Sequence, residues 1–79
     1  MTRQHYIVSM RLTNCVREHR RRLDMTQAQL SESVGVSRQT IVSIEGGDYV
    51  PSALLAARIA RTIGVAFETL FRLEEDARS

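Results

Sequence analysis

Apolar positions along the chain change their spacing several times. Between residues 6 and 12, Tyr6, Val8, Met10 and Leu12 alternate with Ile7, Ser9 and Arg11. Period-two alternation with β-branched residues predicts a short strand, with a disordered arm as the alternative. From Asn14 to Arg22 the period becomes helical. Val16, His19 and Leu23 fall on one side, four arginines (17, 20, 21 and 22) crowd the rest, and Thr13 or Asn14 can cap the start. A second helix opens at Thr26. Thr26 and Gln29 have capping-box spacing, Leu30 and Val34 point inward, and Gly35 ends the helix, because a C-terminal cap favours φ > 0. Ser37 caps a third helix in which Ile41 and Ile44 face inward while Arg38, Gln39, Thr40 and Ser43 face out. Glu45, Gly46 and Gly47 close it, and Asp48 to Pro51 form a loop.

Ser52 can cap a fourth helix running to Ile63, with Leu55, Ala56, Ile59, Ala60 and Ile63 as a broad apolar stripe. Gly64 stops it. A short fifth helix covers about Ala66 to Leu70, and Phe71 to Glu74 alternates again. The two strand-like segments lie at opposite ends of the helical region. They are expected to pair, within one chain or between two, and to help form a dimer, since an isolated two-stranded ribbon is marginal. Phe71 and Leu73 as simple core plugs are the alternative. The chain thus divides into an N-terminal extension (1–13), a helical domain (14–71) and an acidic tail (72–79).

Composition narrows the function classes. A chain of 79 residues and 9.0 kDa has room for one thin core. The longest apolar run, Ala53 to Ala57, is far below the ~18 residues of a membrane helix, and Met1 to Met10 lacks a secretory apolar stretch. A single cysteine, Cys15, excludes an intrachain disulfide and points to a reducing, cytoplasmic setting. No cofactor or metal is expected: Cys15 and His19 are one turn apart, with only His5 as a further soft donor. An enzyme is not expected either, because there is no nucleophile–base pair and no Gly-rich phosphate loop before a helix. All basic residues are arginine. Residues 1–45 hold seven of them against four acids, and residues 46–79 hold four against five. Arginine presents a planar, permanently charged fork suited to phosphates and base edges.

Two short helices joined by Gly35-Val36-Ser37, with Leu30, Val34, Val36, Ile41 and Ile44 as the locking apolar set, form a helix-turn-helix pattern. Ser31 is small where the two helices must approach. The stretch from Asn14 to Phe71 resembles the Cro/C1-type (XRE-like) helix-turn-helix repressors. The likeness is carried by Arg20, Thr26-Gln27-x-x-Leu30, Val34 to Ile41, Ile44-Glu45-x-Gly47, Pro51-Ser52, Ile59-Ala60 and Leu70-Phe71.

That resemblance implies an all-α, five-helix, lambda-repressor-like domain that binds double-stranded DNA, regulates transcription and is often dimeric. Arg38, Gln39, Thr40 and Ser43 are then the base readers. Gln27 matches the family's phosphate-holding glutamine, and Arg20 and Glu45 occupy positions that pair in the family, with two solvated charges as the alternative. Ser37, Arg21 or Arg22 (or a merely solvated arginine face) and Tyr49 in place of the usual loop residue are the further expected phosphate contacts. Two departures stand out. Gly46-Gly47-Asp48 replaces a polar or basic residue, glycine and lysine, and Asp48 repels a phosphate. Ala66 stands where a capping Ser or Pro is common. The expectation is a sequence-specific repressor acting as a homodimer, without a membrane partner. The rival is a protein-interaction module, such as an antitoxin or a coactivator-like bridging factor, using the tail acids Glu74, Glu75 and Asp76 on a protein partner.

Overall fold

Asn14 closes a strand instead of opening a helix. In the computed structural model, which describes residues 9–75, strand β1 is Met10–Asn14 and helix α1 is Val16–Arg22, with Cys15 at the cap position. Asn14 still serves the helix start. Its Oδ1 accepts the Val16 N–H (3.1 Å), while its Nδ2 donates to the Ile44 carbonyl (3.0 Å). One side chain thereby ties β1 to α1 and to the end of α3 (Arg38–Glu45). Tyr6, Val8, His5 and Asp76 lie outside the described residues.

The all-α label covers only the helical part, and the strand pairing expected at the two ends is present. Phe71–Glu75 is strand β2, and it pairs antiparallel with β1 in the same chain, Leu12 opposite Leu73 and Arg11 opposite Glu74. The ribbon crosses residues 13/14 and 71/72, so it joins the terminal segments to the helices. Glu74 and Glu75 belong to this ribbon rather than to a free tail.

The remaining helices follow the local signals. Helix α2 is Gln27–Val34, α4 is Ala53–Ile63 and α5 is Phe67–Leu70. At α2 the Thr26 hydroxyl accepts the Gln29 N–H (3.0 Å) and the Gln29 side chain accepts the Thr26 N–H (2.8 Å), a complete capping box. Ser37 and Ser52 accept the Thr40 and Leu55 N–H groups at the starts of α3 and α4. Gly35 ends α2 at φ +78°, where an L side chain is disfavoured. Its turn lets Ser31 stay buried between helices, and the Ser31 carbonyl accepts from both Gly35 and Val36.

The core is aliphatic, as the scarcity of aromatic residues requires. Val16, Leu30, Ile41, Ile44 and Ile59 are fully buried, with Leu70 and Phe71 sealing the C-terminal side. Leu23 does not join them; it is half exposed. Helix α1 ends at Arg22, so Leu23 has left the helical register, and Arg20 takes the inward place. Helix α5 starts at Ala66 without a side-chain cap. Ala66→Ser is therefore expected to raise unfolding free energy by about 1 kcal/mol, read as a higher urea midpoint at unchanged slope.

Candidate nucleic-acid interface

Helix α3 is gripped from below and bare above. Ile41 and Ile44 are fully buried, whereas Arg38 and Gln39 are exposed and Thr40 and Ser43 are partly so. The first turn is stiffened at its cap, where the Ser37 and Thr40 hydroxyls lie 2.9 Å apart. Gln39 leans towards Ser43, with Nε2 to Oγ at 3.5 Å. A rigid helix with a polar N-terminal half suits insertion into a groove.

The last residue of α3 organises the surroundings. The Glu45 side chain has no solvent exposure and takes the Arg20 guanidinium in a two-pronged grip, Nε to Oε2 at 2.6 Å and Nη2 to Oε1 at 3.1 Å. Arg20 also donates to the Met25 carbonyl (2.7 Å), so its fork is well used. Gln27 Nε2 donates to Glu45 Oε1 (3.1 Å), and the half-exposed Arg17 lies 3.6 Å from the same oxygen. One carboxylate therefore holds α1, α2 and α3 in mutual register.

Burial alone would raise the Glu45 pKa. The hydrogen bonds from Arg20 and Gln27, with the charges of Arg20 and Arg17, outweigh it and hold the carboxyl below its ordinary 4.5. A depressed folded-state value means the unfolded chain takes up the proton first as pH falls. The associated stability is present above about pH 4.5 and drains away as pH drops through the folded value. Urea midpoints measured from pH 7 to pH 3 should fall in the acid range, and Glu45→Gln should flatten that fall.

Beside α3 lies a concavity of about 400 Å³ lined by Arg17, Arg20, Arg21, Thr26, Gln27, Ala28 and Arg38. The first N–H groups of α2 have no partner within the helix, since the Thr26 hydroxyl serves only Gln29. Three exposed arginines (17, 21 and 38) around a helix N-terminus make a cradle for an oxyanion such as a phosphate. Of the expected phosphate contacts, Gln27 and Arg21 line this concavity. Ser37, Arg22 and Tyr49 do not; Ser37 is occupied as the α3 cap, and Tyr49 is half exposed in the loop before α4. Arg17 is not among the expected contacts, yet it lines the same concavity. It stands three residues before Arg20 and four before Arg21, and side chains at those intervals share a helix face, so a register anchored on Arg20 would have found it.

The thiol of Cys15 donates to the Thr69 carbonyl (3.2 Å) and sits at the junction of ribbon and helices. Among the described residues no helix is long and apolar enough to cross a membrane.

Comparisons with known proteins agree with this architecture. Residues 16–74 match the helix-turn-helix family model. An uncharacterised HTH-type transcriptional regulator of Methanothermobacter thermautotrophicus is 53% identical over 62 residues, covering 77% of this chain and 90% of the relative. The likewise uncharacterised HTH-type transcriptional regulator YgzD of Bacillus subtilis is 48% identical over 65 residues, covering 82% of this chain and 98% of the relative. Among solved structures, the transcriptional regulator VanUg superposes with a TM-score of 0.70 at 21% identity, over 95% of this chain and all of that one, a likeness of fold. With the capped α2–turn–α3 unit on a buried aliphatic base and a family match over most of its length, the chain belongs to the Cro/C1-type helix-turn-helix family.

Proposed function

We propose that the protein is a cytoplasmic, sequence-specific repressor of transcription that binds double-stranded DNA as a homodimer. The observation that carries this reading is the exposed Arg38–Gln39 pair at the head of a helix whose underside is locked by Ile41 and Ile44, next to a basic concavity. Helix α3 enters the major groove with its N-terminal turn leading. Arg38 donates two bonds to guanine O6 and N7, and Gln39 pairs with adenine N6 and N7. Thr40 and Ser43 reach a thymine methyl, a phosphate or a bridging water.

The backbone is held separately. A phosphate beside the groove sits in the concavity, taken by the α2 N-terminus at Gln27 and by Arg21 and Arg17. Gln27 has a double task, because its side-chain nitrogen is oriented by Glu45. The phosphate grip is thus coupled mechanically to the last residue of the reading helix. Asp48 lies at the far end of α3, in keeping with a loop that leaves the backbone contact to other residues. Two such heads in one dimer would read a near-palindrome with half-sites about 34 Å apart.

Selection of bound DNA from a random duplex pool tests the reading. The expected product is an inverted repeat with half-site centres roughly 10 base pairs apart. A pool that binds at low salt but enriches no sequence would overturn it.

A further inference from the structure

The ribbon has an open side whose sequence is complementary to itself. In an antiparallel pair, hydrogen-bonded and non-hydrogen-bonded positions alternate. The Cys15 N–H donates to the Leu70 carbonyl (2.9 Å), and these two residues are the next opposed pair after Asn14 and Phe71. The bonded pairs along the ribbon are therefore Thr13 with Arg72 and Arg11 with Glu74. It follows that Leu73 and Glu75 turn their N–H and C=O groups away from β1. Among the described residues those groups meet no other backbone partner. Leu73 itself is 66% exposed, on the same ribbon face as Leu12 and Met10.

We propose that the outer edge of β2 pairs antiparallel with β2 of a second copy of this chain, about a two-fold axis through Leu73. This rests on the homodimer reading above and gives it a location. In that register Leu73 stands opposite the partner's Leu73 in a hydrogen-bonded pair. Arg72 falls opposite the partner's Glu74, and Glu74 opposite the partner's Arg72, in the closer non-hydrogen-bonded positions where side chains interact most. The four strands form one sheet, with Leu12 and Leu73 of both copies in a continuous apolar row. A two-fold interface must match itself, and opposite charges flanking a central leucine do so. Proline, which would block pairing at a sheet edge, is absent from β2, and its Arg72 and Glu74 are opposite in sign.

The test uses the full chain and two charge variants. Arg72→Glu sets two acids against each other at both symmetric positions. Arg11→Glu combined with Glu74→Arg sets two arginines together there, while keeping an opposite pair across its own ribbon. Sedimentation equilibrium should show a dimer for the parent chain and a dissociation constant raised about tenfold or more for each variant alone. Mixing the two variants restores both cross-chain pairs, and native mass spectrometry should then find the one-to-one heterodimer. Thermal melts confirm that each variant is folded. If both folded variants dimerise as tightly as the parent, or the mixture recovers nothing, this edge is not the interface, although a homodimer formed elsewhere survives. A parent chain that stays monomeric, free and on its selected DNA, overturns the edge and the homodimer together.

Discussion

Glu45→Ala is expected to lower the unfolding free energy by about 3 kcal/mol or more. Removing the carboxylate leaves the Arg20 guanidinium, 8% exposed, with the Met25 carbonyl as its remaining partner. An uncompensated buried charge is the costly outcome, much more than the loss of an attraction. Arg17 adds little, because its side chain is 47% exposed and solvent screens it. For a domain of this size each kcal/mol corresponds to a melting shift of about 4–8 °C, so the drop should be visible in a single calorimetric scan. The double variant Arg20→Met with Glu45→Leu should recover most of the loss, since replacing both partners removes the stranded charge. If Glu45→Ala costs under about 1 kcal/mol, the triple grip on that carboxylate is solvated decoration. The double variant then has a second use. A stable protein with weakened DNA binding would assign the cluster to orienting Gln27 and α3 rather than to holding the fold.

Arg38→Ala and Gln39→Ala are each expected to weaken the preferred DNA sequence by about 1–3 kcal/mol and to relax selection at one base pair. Arg38 makes this a sharp comparison, because it also lines the basic concavity. A base reader loses affinity for the preferred sequence only. A phosphate ligand loses it on every sequence, and the slope of log K against log salt falls by about one. Gln27→Ala should weaken all sequences alike with little change in slope, since the side chain is neutral. Titrating the selected duplex and a scrambled one at several salt concentrations separates these cases. Equal loss on both duplexes for Arg38→Ala would remove it from the base-reading set.

The helix-turn-helix unit was legible because its signals are local. Capping pairs such as Thr26–Gln29, the caps Ser37 and Ser52, and the helix-ending Gly35 act within four residues, and the pattern of Leu30, Val34, Ile41 and Ile44 needs only helical periodicity. The exposure of Arg38 and Gln39 follows from the same periodicity. Local signals misled where a distant partner decides. Asn14 does serve the start of α1, its Oδ1 accepting the Val16 N–H, but its backbone also ends a strand, because Phe71 pairs with it across the whole length of the domain. Leu23 looks like a core residue, yet Arg20 is inside, because a buried carboxylate waits on α3.

The residues alone thus determined which segments are helices, where most of them start, and which face of α3 is free, since backbone capping and amphipathic spacing operate over a turn or two. Tertiary structure alone decided that the two terminal strands join within one chain. It also brought Gln27 and Arg17 to Glu45, and assembled three arginines around the α2 N-terminus. Those outcomes depend on how three helices cross, a geometry set by packing between side chains far apart in the chain.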